Sequence, residues 1–170
     1  EANAVVEALR LLRARQSEKP SLAVLSPYWQ QVMTLKQRIE RNIDGTLSHL
    51  KEFAAAIDLA EFCGTVDSFQ GGEADVVVVS LVRNNAHSTP ARALGFLRDN
   101  RRMNVLLSRA KWRLILVGSL QFYKDVVERS AKLPDQDVGF LGKFFESLNR
   151  GVAAKEASIV PWSQLKGGAS

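Results

Sequence analysis

The sequence predicts an α/β domain built on a mainly parallel sheet flanked by helices on both faces. Short runs rich in Val, Leu and Ile at 21–25, 74–82 and 114–117 have the composition of strands buried on both sides. Longer stretches between them repeat apolar residues at helical spacing. That alternation, with no internal repeat, is the pattern of strand–helix–strand units.

Taken in order, Val5, Val6, Leu9 and Leu12 place a helix over roughly 2–16, ending before Ser17-Glu18-Lys19-Pro20. Ser21 to Leu25 is a short buried strand stopped by Ser26-Pro27. Val32, Met33, Leu35 and Ile39 lie among Gln, Lys and Arg, which gives a second helix from Trp29 to about Arg41. A loop at 42–45 precedes a weaker helix around 47–57. Strands follow at 62–66 and 74–82, then a polar loop from Asn84 to Gly95. Asp99 can cap a helix carrying Met103, Val105, Leu106 and Leu107, and Leu114 to Val117 is a buried strand closed by Gly118-Ser119. Helices are expected at 120–130 and 138–149. Residues 1–150 form the domain, and 151–170, with little periodicity, form a loosely ordered tail.

A chain of 170 residues can bury a proper core. Its longest apolar stretch, Val76 to Val79 with Leu81 and Val82, is far too short to cross a bilayer, so no membrane partner is expected. The start, Glu1-Ala2-Asn3-Ala4, has neither Met nor a basic leader and reads as a piece of something longer. One cysteine, Cys63, excludes an internal disulfide and a cysteine-rich metal site, and between Phe62 and Val66 it reads as a small buried hydrophobe. A net charge of +5 favours a polyanionic partner. No residue is assigned to a metal.

Gly142-Lys143 imitates a phosphate loop, but Asp137 and Phe144 stand where the pattern needs Gly and Ser or Thr. With Phe140, Leu141, Phe144, Phe145 and Leu148 on one face, that segment is a packing helix. The segment from Gly95 to Lys111 is more informative, because Arg98, Arg101, Arg102, Arg109 and Lys111 crowd it. On a helix from Asp99, Arg102 and Arg109 share a face, and an arginine just before a buried strand can offer two donors to a phosphoryl oxygen. On its own the segment reads first as a solvated basic face. Gly71-Gly72 in front of the valine run lets backbone approach a ligand, and Glu73 suits ribose hydroxyls. On its own that turn reads first as a tight bend with a solvent-facing acid. Together they put an acid for sugar and an arginine for phosphate at neighbouring strand ends. Ligands on such sheets bind at the carboxyl ends of strands, where Ser26-Pro27-Tyr28, Arg83-Asn84-Asn85 and Gly118-Ser119 fall.

"TVDSFQGGEADVVVVSLVR" followed by "GFLRDNRRMNVLLSRAKWRLILVG" resembles motifs V and VI of the superfamily 1 helicases, in the branch of the RNA-surveillance helicases and senataxin. "LAVLSPYWQQ" resembles the strand and turn that branch carries earlier, with Ser26-Pro27-Tyr28 and Gln31 in place of Thr-Pro-Tyr and its Gln. The resemblance covers residues 1 to about 130 and implies the second of two RecA-like motor domains, of P-loop NTPase type. It implies ATP in the cleft between the domains, with the phosphate loop and the Mg2+ ligands outside this chain. By position it makes Arg109 the catalytic arginine on the γ-phosphate, Glu73 the ribose acid, and Gln70, Gly71 and Gly72 the supporting turn. Thr65, Ser68, Ser26 and Tyr28 fall where single-stranded DNA or RNA is gripped. Gly72 stands where relatives often carry Arg or another side chain, and Lys111 where Arg is common.

The resemblance thus implies the C-terminal motor domain of an ATP-dependent DNA or RNA helicase, inactive alone and partnered by the first RecA-like domain of the same chain. Its place is the cytoplasm, or the nucleus in a eukaryote. The alternative is a degenerate RecA-like module that binds nucleic acid or a protein without hydrolysis.

Overall fold

The computed structural model describes residues 1–14, 19–53, 62–69, 71–82, 85, 87, 89–132 and 138–166. They fall into two compact units, Glu1–Val82 with Arg101–Gly118, and Arg83–Asn100 with Ser119–Ser170.

The first unit holds a four-stranded sheet, β1 (Leu22–Ser26), β2 (Cys63–Thr65), β3 (Ala74–Ser80) and β4 (Ala110–Val117), in the order β2-β1-β3-β4. Every pairing is parallel, with Val24 beside Cys63, Ala23 beside Val77 and Leu116 beside Val79. The valine run is central and buried: Val77, Val78 and Val79 have no exposed surface. Burying a side chain of that size stabilises by roughly 1.5–3 kcal/mol, which is why this run fixes the middle of the sheet.

Helices α1 (Ala2–Leu11) and α2 (Trp29–Glu40) lie on one face, where Val5, Leu9, Val32, Leu35 and Ile39 form one core with Leu22, Val24, Val76 and Val78. On the other face Ala23, Leu25, Val77 and Val79 are equally buried. The β1–β2 and β3–β4 connections step across the sheet in opposite directions. The expected α/β class holds.

Several boundaries differ from expectation. The first helix stops at Leu11, because Leu12 is extended (φ −67°, ψ 141°) and the Arg13 guanidinium donates to the carbonyls of Arg10 and Leu12. Around 47–57 the described part is a 3-10 turn, Ser48–Glu52, and 54–57 lie outside the described residues. Ser26 ends β1 rather than interrupting it, paired with Thr65. β3 ends at Ser80, and Val82 takes the left-handed region at φ 59°. β4 starts four residues before the expected Leu114 and is half-buried, with Lys111, Trp112 and Arg113 exposed.

In the second unit the expected loop to Gly95 instead contains a helix, α3 (Pro90–Leu94), running into a 3-10 turn at Gly95–Arg98. Proline suits the first helical position, and Ala93, Leu94 and Leu97 are buried, so packing overrides the loop-like composition. Helix α4 (Asn100–Leu107), which from Arg101 on belongs to the first unit, follows Asp99 and leads to β4. Helix α5 (Leu120–Ser130) is capped by Ser119, whose Oγ accepts from the Phe122 N–H at 3.3 Å. Helix α6 (Gly139–Ala153) buries Leu141 and sets Phe144 and Phe145 edge to face, as a packing helix would. Residues 151–170 include the end of α6 and a short helix, α7 (Trp162–Lys166). Among the described residues no helix is long and apolar enough to cross a membrane.

Candidate functional site

The residues singled out in the sequence gather into two clusters, at opposite ends of the strands. Gly71, Gly72 and Glu73 lead into the amino end of β3, and Arg109 immediately precedes β4. These residues therefore lie at amino ends of strands, whereas the sequence reading expects ligands at the carboxyl ends. Ser26, Tyr28, Thr65 and Ser68 do group at the carboxyl ends of β1 and β2.

Arg109 is not on the helix with Arg102. Helix α4 ends at Leu107, and the Arg109 carbonyl is drawn into the sheet by the Ala74 N–H at 3.0 Å. Its half-buried guanidinium makes three hydrogen bonds: Nε to the Val105 carbonyl at 2.8 Å, Nη1 to the Gly72 carbonyl at 2.8 Å, and Nη2 to Ser108 Oγ at 3.1 Å. Ser108 Oγ donates in turn to the Val105 carbonyl. Guanidinium has five N–H donors, so beyond these bonds each terminal nitrogen retains one.

The glycines have different reasons. Gly71 lies at φ 83°, a conformation costly to any side chain, yet a Cβ there would meet nothing within 4 Å. Gly72 has ordinary backbone, but a Cβ would come to 3.3 Å from both the ring and the carbonyl of Phe69. Glu73 is largely open to solvent, and its carboxylate lies 3.8 Å from Lys111 Nζ. Gln70 lies outside the described residues, as do Arg83 and Asn84.

Below this cluster Asp75 receives the Ser21 N–H at 2.7 Å and the Ser21 hydroxyl at 2.8 Å, and its own N–H donates back to Ser21 Oγ at 2.9 Å. The Ser21 N–H, then its hydroxyl, then the Lys111 charge hold the Asp75 carboxyl below its usual range, against partial burial. Lys111 therefore serves two acids. The donor set fits the anionic and sugar parts of a nucleotide. It does not fit a magnesium ion, since among the described residues Glu73 faces Lys111 and Asp75 is taken up by Ser21.

At the carboxyl ends, Thr65 Oγ1 accepts the Ser68 N–H at 3.0 Å and Ser68 Oγ donates to the Thr65 carbonyl at 2.9 Å. The Phe69 N–H also reaches that carbonyl, so residues 65–69 form one helical turn. The Thr65 hydroxyl keeps its proton to donate, and Ser68 can still accept. Ser26 is fully buried, its Oγ accepting from the Tyr28 N–H, so it holds the turn while Tyr28 is half-exposed.

The sequence reading missed four supporting residues. Gly64 leaves room for Ser68, whose Oγ would lie 2.9 Å from a Cβ there. Ser108 fixes Arg109, Asp75 staples β3 to Ser21, and Ser80 joins Gln31 to the Glu1 carboxylate. The Gly64 signal was readable as a glycine inside a strand, whereas the Ser21–Asp75 pair, far apart in sequence, leaves none. Cys63 is buried as expected, and burial pushes its thiol up to about 12 against a small pull from Lys36, which makes it inert.

A parallel sheet between helices, with these clusters at its strand ends, is a RecA-like α/β domain. Residues 1–121 match the family model of an AAA domain, and the chain belongs to that family, in the RNA-surveillance and senataxin-like branch of the superfamily 1 helicases. It is 35% identical over 117 residues, 69% of this chain, to DNA polymerase alpha-associated DNA helicase A of Saccharomyces cerevisiae, of which it covers 15%. To ATP-dependent helicase NAM7 of the same yeast it is 38% identical over 106 residues, 62% of this chain and 10% of that one. To helicase sen1 of Schizosaccharomyces pombe it is 34% identical over 103 residues, 61% of this chain and 5% of that one. The chain thus spans a small fraction of the relatives it matches.

Proposed function

We propose that this chain is the C-terminal motor domain of an ATP-dependent DNA or RNA helicase, working with a first RecA-like domain of the same polypeptide on a single strand. The observation that carries the reading is the hold on Arg109. Three hydrogen bonds to Val105, Gly72 and Ser108 fix the guanidinium plane, while among the described residues one N–H on each terminal nitrogen stays available. A planar donor pair so fixed suits the oxygens of a γ-phosphate. Glu73 offers its open carboxylate to the ribose, with Gln70, Gly71 and Gly72 assigned to the same nucleotide site as its supporting residues.

Bound in the cleft, ATP with Mg2+ would supply the transferable phosphoryl group. The Mg2+ ligands and the phosphate loop are assigned to the first domain, because this cluster sets one acid against two cations. Arg109 acts as a finger on the phosphoryl oxygens, a role contributing roughly 10³–10⁵ in turnover. At the opposite strand ends the Thr65 hydroxyl donates to a phosphate oxygen of the strand, and the Ser68 hydroxyl accepts from a base N–H or, in RNA, a 2′-hydroxyl, with Ser26 and Tyr28 holding the turn beside them. The relatives' names support this class and include both a DNA helicase and ATP-dependent enzymes. Such a motor works where strands are, in the cytoplasm or, in a eukaryote, the nucleus.

The test is steady-state ATP hydrolysis with saturating single strand, in a protein containing both motor domains. Arg109→Ala should lower kcat on the order of a thousandfold with little change in KM, and Arg109→Lys should rescue poorly because it lacks the fork. Unchanged turnover in Arg109→Ala, with a normal melting curve, would return this arginine to a structural role.

A further inference from the structure

We propose that Trp29 is a stacking platform for one base of a single strand, an inference that rests on the nucleic-acid function above. Trp29 is 64% exposed, more than any other large apolar side chain among the described residues. Scattered exposed leucines need no explanation, but a tryptophan left in water at the mouth of a candidate site does. It opens α2 directly after the Ser26-Pro27-Tyr28 turn, at the carboxyl end of β1, where Ser26 is paired with Thr65.

The support beneath it is rigid. Tyr28 is extended (φ −120°, ψ 121°), and its carbonyl receives the N–H groups of Gln31 and Val32. The Gln31 side chain donates to the buried Ser80 hydroxyl at 3.0 Å, and Val32 and Leu35 are sunk in the core. An indole on such a base loses little freedom when a base lies on it. One turn on, Met33 is 39% exposed on the same face and extends the apolar contact.

The surroundings select the partner. From Trp29 to Arg38, α2 contains no acid, and its polar positions are Gln30, Gln31, Thr34, Lys36, Gln37 and Arg38. An aromatic ring amid amides and cations matches a nucleobase and its phosphates. A protein partner would need about 800 Å² on this side. Two apolar side chains cannot supply the core of that.

The measurement is fluorescence anisotropy of labelled oligothymidylate and oligouridylate with the 170-residue chain, over a series of salt concentrations. Trp29→Ala should weaken binding on the order of tenfold, as loss of one stacked base does, and Trp29→Phe should recover most of it. The slope of affinity against salt should not change, since no phosphate contact is removed. Both variants should melt like the parent, because the side chain is exposed. Parent binding that is unaffected by Trp29→Ala overturns the stacking role and leaves the helicase reading standing. Equal losses in both variants, or a changed salt slope, also overturn it. No binding by the parent chain at low salt overturns the nucleic-acid reading itself. Concentration-dependent self-association abolished by Trp29→Ala, with oligonucleotide binding intact, would make the residue a contact between copies and refute the proposal.

Discussion

Arg109 and Glu73 are neighbours with unlike fixity, and that difference predicts unlike kinetics. Arg109 is bonded on three of its donors, whereas Glu73 has a single loose approach to Lys111 at 3.8 Å. An exposed pair at that distance contributes little to stability. If Glu73 holds the ribose, which changes little during phosphoryl transfer, Glu73→Ala should raise KM for ATP more than it lowers kcat, without altering the melt. A pure kcat effect would contradict that assignment. Asp75 allows a test by pH. Its native carboxyl titrates below its unfolded value, so its stabilising contribution is complete above about pH 4 and fades as pH falls through the native value. Asp75→Asn should therefore melt below the parent at neutral pH, with the gap narrowing below about pH 4. A gap that is constant with pH would mean that the Ser21 bonds do not depend on the charge.

Elements were legible where one physical cause dominated. The four valines of β3 and the apolar repeat of α2 announce burial directly, and both occur where the residues place them. The amino half of β4 was hidden because Lys111, Trp112 and Arg113 lie at the outer strand, where side chains face water and the ladder alone defines the element. Helix α3 was hidden by Pro90, which marks a helix start as readily as a loop. For the site, the residue types could be read but not their strand ends. Arg109 is fixed partly by the Gly72 carbonyl, a backbone atom brought near by the sheet register, and carbonyls carry no sequence signal. The glycine turn is testable as an element. Gly71→Ala meets no clash but must hold φ near 83°, so it should cost about 1–2 kcal/mol in urea unfolding, and Gly71→Asn less. If alanine is tolerated without loss, the turn does not rely on the left-handed conformation.

The molecule as a whole presents half of what a nucleotide engine needs. It has the cations Arg109 and Lys111 and the open acid Glu73, while the only glycine–lysine pair suggestive of a phosphate loop lies inside α6 as part of a packing helix. The isolated chain should therefore show no ATP hydrolysis above background, with or without single strand. Robust turnover that copurifies with the chain and disappears in Arg109→Ala would show that the chemistry is complete within these residues.

The outer position of β4 bears on how the protein behaves in concentrated solution. Among the described residues this strand pairs on one side only, with β3, so its other edge offers backbone groups that a foreign strand could extend. Trp112, 61% exposed, would favour such adhesion, but Lys111 and Arg113 flank it. Two like charges flanking Trp112 in sequence would make each copy repel the next, the gatekeeper pattern that opposes fibre growth. Replacing both with threonine should leave the fold intact yet shorten the lag before light scattering rises on warming. Lys111 would then serve colloidal stability as well as its two acids.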